Sequence, residues 1–430
     1  MSFNSRTLLA GLAELERSSA QPARFLVAFS GGLDSTSLLH AIVSTRQQHT
    51  VDVVAVHIDH QLHADSAHWA RHCAAMAADL GVEFIGRTVQ VEQQSGRGTE
   101  AAARDARYAA LHQLMRAGDC VLSAHHRDDQ AETLLLNLMR GSGPTGLAGI
   151  PAARSFGPGW LWRPLLGVAR DELEVYARAH QLKWLEDPSN ATDAHDRNYL
   201  RQEILPRLQQ RWPSADKRIV RSAELARDAA GLLAELAEID LQTMAVAPDR
   251  IDLDAFRGLS QPRQRNLLRQ LVAGLGLPAP PAAKLENILN DLVAAREDAA
   301  PLVCWPGVAV RRYRGHMFVL ADPPRAAPTL AQLEFVDGAA TGLSAAVMQA
   351  GMELRFRQGG EEIRPVGQTH TRTLKKLLQE EGVLPWMRDQ LPLLYSDGRL
   401  VAVADLWIDA AAASSPGTAI RWPNRPQILA

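Results

Sequence analysis

Residues 25–35 read Phe-Leu-Val-Ala-Phe-Ser-Gly-Gly-Leu-Asp-Ser, an apolar run that passes straight into a Ser-Gly-Gly-x-Asp-Ser turn. An apolar succession such as Leu26 to Phe29 is expected of a strand buried on both faces. Gly31 and Gly32 let the backbone turn tightly and approach a ligand closely. Ser30, Ser35 and Thr36 offer hydroxyls, and the amides that open the next helix direct their donors at any anion held there. Asp34 adds a carboxylate, which does not bind phosphate directly but can hold Mg²⁺ beside it. Together these residues describe a pyrophosphate cradle at the end of a strand.

The whole first half supports that placement. Strand candidates at 24–29, 51–58, 82–91 and 120–124 alternate with helical stretches at 35–45, 64–80 and 99–117, and another helix follows at 128–140. Such alternation implies an α/β domain with a parallel sheet and helices on both faces. Ligands in such sheets bind at the C-terminal strand ends. The SGGLDS turn, the segment from His57 to His60 and the segment from Ala124 to Asp129 all follow strand candidates and should converge on one crevice.

The Gly- and Pro-rich stretch 141–167 reads as a loop region, and a helix is expected from Arg170 to Gln181. Three domains are expected: a catalytic domain at 1–213, a helical domain at 214–325 and a small α/β domain at 345–430. A linker is expected at 321–330. A length of 430 residues fits this division. The net charge of −2 gives no global signal for nucleic acid, although a basic face can exist locally. Three scattered cysteines form no C-x-x-C, which suits a reducing cytoplasm and indicates neither a zinc knuckle nor a dithiol. The first twenty residues read as an amphipathic helix rather than a signal peptide, and no run of 18 apolar residues offers a membrane span.

Residues 125–140 read HHRDDQAETLLLNLMR. Asp129 and Glu132, three apart, share one face at the start of a helix, where its dipole favours carboxylates. A cationic substrate or a metal suits such a pair. His57 to His63 (HIDHQLH) places backbone beside the crevice, where it can line an adenine pocket. Its histidines and the set His125, His126 and Asp128 also have loose metal-ligand spacing. Arg104 and Arg107, about one turn apart, suit polyphosphate or a developing negative charge if they face the crevice. Arg355, Arg357, Arg364, Arg372, Lys375 and Lys376 make a local basic stretch near the C-terminus.

The SGGLDS string resembles the PP-loop of ATP pyrophosphatases, which cleave ATP between the α and β phosphates. It is not a Walker A loop, because none of the five lysines follows a glycine. A closer resemblance is to the tRNA(Ile)-lysidine synthase family. It is carried by SGGLDS, HxxHxL at 57–62, EAAARDARY at 100–108, HHRDDQAET at 125–133, RGSGPTGLAGI at 140–150, EDPSNATDAHDRN at 186–198 and the segment 364–394. The family usually has Asn where Asp59 stands and often Arg where His63 stands.

The resemblance implies ATP and Mg²⁺ as cofactors, with L-lysine and a tRNA(Ile) bearing the CAU anticodon as partners. The cytosine would be adenylylated on O2, and the lysine amine would then displace AMP. Ser30, Gly31, Gly32, Leu33, Asp34, Ser35 and His57 would bind ATP, with Asp34 as the metal ligand. Asp34, Arg104, Asp129 and Glu132 would be catalytic, and Asp129 and Glu132 would also bind lysine. Arg197 or Arg201 would contact AMP or RNA, and Arg364, Arg372, Lys375 and Lys376 would hold the tRNA backbone. No membrane partner is expected, and a homodimer is allowed. The alternatives are a PP-loop tRNA thiolase, for which the paired cysteines are missing, and a small-molecule adenylylating ligase, which has no need of the basic C-terminal module. A non-catalytic nucleotide- or tRNA-binding protein would not need the intact turn and acid pair.

Overall fold

The structure is a computed structural model and describes residues 3–18, 21–48, 51–63, 65–91, 99–186, 196–296, 299, 301–322, 329–423, 425 and 428–429. It divides into two compact units, Met1–Leu232 and Leu233–Ala430. Among the described residues no helix is long and apolar enough to cross a membrane.

The first unit opens with helix α1 (Ser5–Ser18), β1 (Arg24–Ala28), α2 (Leu33–Ser44), β2 (Asp52–Asp59), α3 (Ser66–Asp79) and β3 (Glu83–Thr88). It continues with α4 (Thr99–Leu114), β4 (Asp119–Leu122), α5 (Arg127–Met139), the short α6 (Pro144–Leu147), β5 (Ala153–Phe156), β6 (Gly159–Trp162) and α7 (Arg170–Ala179). After 187–195, which lie outside the described residues, come α8 (Asp196–Tyr199), a π-helical segment Leu200–Ile204 and α9 (Leu205–Arg211). Helix α10 (Ala215–Met244) carries the unit boundary.

The sheet order is β3-β2-β1-β4-β6-β5, all parallel except β5, which pairs antiparallel with β6. Successive side chains of a strand point to opposite faces. Phe25 and Val27 therefore join a core with α1, α2, α3 and α7, while Leu26 joins Leu111, Met115 and Val121 on the other face. Burial on both faces explains the unbroken apolar run in β1. The stretch 141–167, expected to be loop, contains α6 and the β5–β6 hairpin that completes the sheet.

In the second unit, β7 (Ala245–Ala247), β8 (Arg250–Asp252), β9 (Leu302–Trp305), β10 (Gly307–Tyr313) and β11 (His316–Asp322) form an antiparallel sheet ordered β7-β8-β11-β10-β9. It shares a core with α11 (Leu253–Arg257), α12 (Gln261–Gly274) and α13 (Ala282–Asn287). The helical expectation for this region therefore holds for its helices, and the strands are an addition. The strands also reach Asp322, inside the expected linker, of which 323–328 lie outside the described residues.

A further core gathers two small antiparallel sheets. One contains β12 (Glu334–Ala339) and β13 (Gly342–Leu343), which comes before α14 (Ala345–Ala350). The other contains β14 (Glu353–Arg355). The short ladder of β15 (Glu362–Ile363) with β16 (Arg372–Thr373) leads into α15 (Leu374–Glu380), which packs Leu374, Leu377 and Leu378 into that core.

Candidate active site

The strand-to-helix turn after β1 has the geometry that its glycines anticipate. Gly31 has φ +81°, and a Cβ there would lie 2.8 Å from Cys73 Sγ and 3.0 Å from Leu185 Cδ1. The Gly31 carbonyl also accepts from the Leu185 amide at 2.9 Å. Gly31→Ala is expected to lower the unfolding midpoint by the equivalent of about 1–3 kcal/mol, from the left-handed backbone and the blocked space together. A thermal melt followed at the Trp signal checks this, and an unchanged midpoint would contradict it.

Ser35 braces the loop. Its Oγ accepts from the Ser30 amide (3.2 Å), donates to the Gly32 carbonyl (3.1 Å) and lies 3.1 Å from Ser30 Oγ. Gly32 caps α2 in an extended conformation, so the amides of Leu33 and Asp34 open the helix and face outward from its positive end. Leu33 itself is buried. The His57 ring is committed to the fold: its Nδ1 donates to the Phe29 carbonyl at 2.9 Å, and it is buried at the end of β2. Burial pushes its pKa down, against that hydrogen bond. Asp59 Oδ1 accepts from the Gln61 amide at 2.8 Å, a turn contact that the oxygen of an Asn makes equally well.

The acids of α5 stand beside this turn and are organised by His126, whose role sequence reading missed. His126 caps the helix and is buried. Its Nε2 lies 3.6 Å from Asp34 Oδ2 and 3.5 Å from Asp129 Oδ2, and its Nδ1 lies 3.4 Å from Asp128 Oδ2. Burial alone would lower its pKa, but contacts with Asp128 and Asp34 and the charge of Asp129 outweigh it and raise the value to about 10. One imidazolium thus ties the turn to the acid pair. The signal was its place immediately before a helix whose first turn carries Asp128 and Asp129.

Asp129 Oδ2 accepts from the His126 amide at 2.9 Å. Glu132 is fully buried and is held by Arg201, whose Nε and Nη2 donate to its two oxygens at 2.7 and 3.1 Å. Arg201 Nη2 also reaches Asp129 Oδ1 at 3.2 Å, and Arg197 Nε lies 3.5 Å from Glu132 Oε2. Arg197 and Arg201, expected to contact AMP or RNA, are therefore engaged with the acid pair here. Their four-residue spacing on one helical face was the signal for a shared target. Burial raises the Glu132 pKa, opposed by Arg201.

Two imidazoles nearby are held neutral. His60 is pushed to about 4 by burial and the Arg107 charge, and Arg107 Nε donates to its Nε2 at 3.3 Å. His125, sharing a hydrogen bond of 2.7 Å with Ser123, is pushed to about 4 by burial and the charges of Arg163, Arg104 and Arg197, against the pull of Asp129. An unfolded histidine takes up its proton near pH 6.5. The unfolded chain thus binds more protons between pH 6.5 and about 4, and stability should fall with pH across that window. Urea midpoints measured from pH 7 to 4 should show a shallower fall for His60→Gln/His125→Gln than for the parent chain, and parallel curves would contradict this.

Arg104 lies on α4, with Cζ 5.5 Å from the Tyr108 ring centre. Arg364, Arg372, Lys375 and Lys376 belong to the second unit. There Arg372 pairs with Glu380, Arg355 with Glu353 and Arg357 with Asp389. Among the described residues Arg364, Lys375 and Lys376 have no carboxylate in ion-pair reach, and all three are exposed.

Among the described residues no three His, Cys, Asp or Glu side chains converge on a metal position. Mg²⁺ needs no such cage, since one or two carboxylates and substrate phosphates suffice. Asp34 fits that demand, because its Oδ1 is buried without a hydrogen-bond partner.

Family models match along the chain: a PP-loop domain over residues 5–208, a TilS substrate binding domain over 251–318 and a TilS substrate C-terminal domain over 352–422. A tRNA(Ile)-lysidine synthase of Xanthomonas campestris pv. campestris (strain 8004) is 42% identical over 404 residues, covering 90% of this chain and 92% of that protein. One from Alkalilimnicola ehrlichii is 42% identical over 419 residues, covering 94% and 92%, and one from Pectobacterium atrosepticum is 40% identical over 400 residues, covering 89% and 90%. With a PP-loop at the end of β1, an acid pair beside it and likeness at this level along nine-tenths of its length, the chain belongs to the tRNA(Ile)-lysidine synthase family.

Proposed function

We propose that the protein joins L-lysine to C2 of the wobble cytidine of a tRNA(Ile) with the anticodon CAU, at the expense of ATP. The carrying observation is that a single imidazolium, His126, contacts both Asp34 of the phosphate turn and Asp129 of the acid pair. A site for cleaving ATP and a site for a cationic amine are thereby neighbours.

In the first step cytosine O2 attacks the α phosphorus, the α–β bond breaks, and pyrophosphate leaves. The amides after Gly32, with Ser30, Gly31, Leu33 and Ser35, receive the departing anion, and Arg104 neutralises phosphate charge. Backbone at the end of β2, fixed by His57, lines the adenine side. Mg²⁺ on Asp34 would add charge neutralisation for the pyrophosphate when bound. In the second step the lysine ε-amine forms a bond to C2, the C2–O2 bond breaks, and AMP leaves carrying that oxygen.

Only the neutral amine attacks, and Asp129 and Glu132 hold the ammonium and accept its proton. A carboxyl whose pKa is raised by burial, as at Glu132, suits that task. Arg201 shares the pair, so lysine entry requires it to yield part of its contact. The tRNA body would be held by the domains at 214–325 and 345–430, with Arg364, Arg372, Lys375 and Lys376 on its phosphates. A cytoplasmic setting and a homodimer are compatible with this reading.

The test is incorporation of labelled lysine into unmodified tRNA(Ile) with a CAU anticodon, with pyrophosphate counted in parallel. Lysine-dependent labelling is expected, and its absence in a folded preparation overturns the proposal. Asp129→Ala should raise the lysine KM, and an unchanged KM removes the lysine-pocket assignment.

A further inference from the structure

A second basic cluster lies in the first unit, on the opposite side of β4 from the phosphate turn, since β6 flanks β4 there and β1 flanks it on the other side. Arg163 follows β6 at the same sheet edge at which Ser30 follows β1. It is 3% exposed, its Nη1 donates to the Pro151 carbonyl at 2.7 Å, and its Nε is buried with no hydrogen-bond partner. Tyr108, on α4, is close enough to it for each to perturb the other's charge. Arg104 and Arg154 approach the same ring, with Cζ 5.5 and 5.4 Å from its centre, and Arg154 lies 5.1 Å from the centre of Phe156.

Among the described residues no carboxylate pairs with Arg104, Arg154 or Arg163. Of the three only Arg163 is buried, and the other sheltered arginines of this unit all have a carboxylate partner, as Arg24 has Asp119 at 2.6 Å, Arg127 has Asp216 at 2.8 Å and Arg201 has Glu132 at 2.7 Å. Burying a guanidinium without an opposing charge is costly, and such a group persists where a ligand brings the charge. The accumulated positive field is visible at Tyr108. Burial alone would raise its pKa, and Arg163, Arg104 and Arg154 together lower it.

We propose that Arg163, Arg154 and Tyr108 form a seat for a phosphate of the RNA strand, separate from the pyrophosphate cradle. This rests on RNA being the acceptor. The cradle already supplies its own amides to the nucleotide, and the seat stands two strands away from it. Arg154 sits exposed on β5, the outermost strand, where a polymer can pass. Guanidinium forks match phosphate oxygens bidentately.

The experiment uses the full chain, an RNA hairpin with a CAU loop and, separately, ATP. Dissociation constants are measured from about 50 to 200 mM salt. For Arg154→Ala, RNA affinity should fall about 3- to 10-fold and the slope of log affinity against log salt should drop by about 0.7–1, while ATP affinity stays at the parent value. Tyr108→Phe and Arg163→Met should weaken RNA binding as well. Should Arg163→Met fail to fold, the exposed Arg154 carries the test. An unchanged salt slope for Arg154→Ala overturns the seat. A loss of ATP affinity with RNA binding intact overturns the RNA assignment and gives the phosphate to the nucleotide. Failure of the parent chain to transfer lysine would sink the activity reading without touching these binding results.

Discussion

Asp34→Ala is expected to cut pyrophosphate release about a thousandfold while leaving the fold in place, the scale at which removal of a preorganised charge acts on a developing anion. Asp34 lies in the first turn of α2, and a third of its side chain is open to solvent. The fold contact that an alanine would lose is the one to His126. One of its oxygens faces His126 at 3.6 Å and the other is sheltered without a partner. Its carboxylate is therefore held ready rather than satisfied by the fold, as a metal-bearing group must be. The measurement is pyrophosphate release with CAU-bearing tRNA under saturating ATP and Mg²⁺, with circular dichroism as the folding control. A loss of less than tenfold would remove Asp34 from the chemistry.

Glu132→Ala has the second large effect, on stability as well as turnover. The Glu132 side chain is fully buried, and its two oxygens receive Arg201 while Arg197 stands 3.5 Å away. Removing one partner of a buried pair strands the other, at about 3–5 kcal/mol for fully buried groups. Arg201 is one-third exposed, so water recovers part of that and the expected cost is about 2–3 kcal/mol. Hydrogen exchange of α5 and of Leu200–Ile204 reads it locally. The double variant Glu132→Ala/Arg201→Ala should be more stable than Glu132→Ala alone, because the stranded cation is gone. Strictly additive losses would show that the pair has no such coupling.

The phosphate turn and the alternating half of the fold were legible because their causes are local. A doubly buried strand has to be apolar, a left-handed Gly31 has to be glycine, and both can be read within ten residues. The β5–β6 hairpin was not legible, since Phe156-Gly-Pro-Gly-Trp160 has loop composition and only the pairing of Leu122 with Trp162 shows that a strand follows. The meander β9–β11 was passed over beside its helical neighbours, although Pro306-Gly307 and Arg314-Gly315 mark its two turns.

At the site, Asp129 and Glu132 were visible from their spacing. Arg201 lies 69 residues from Glu132 and was visible only as a basic residue near an expected contact. His126 looked like one of several loose metal ligands, and what distinguishes it is burial among three carboxylates, which no local pattern encodes.

The hairpin has a consequence for the chain's behaviour outside catalysis. A parallel sheet that ended at β6 would offer the backbone of an apolar strand, Gly-Trp-Leu-Trp, to any other extended chain. Covering it with β5 moves the open edge onto Ala-Arg-Ser-Phe, whose middle pair, Arg154 and Ser155, is exposed. The opposite edge, β3, presents Glu83, Arg87 and Thr88 to solvent. Charged, short edges of this kind discourage strand addition between molecules. A deletion of 153–158 should therefore show itself first as self-association at high protein concentration.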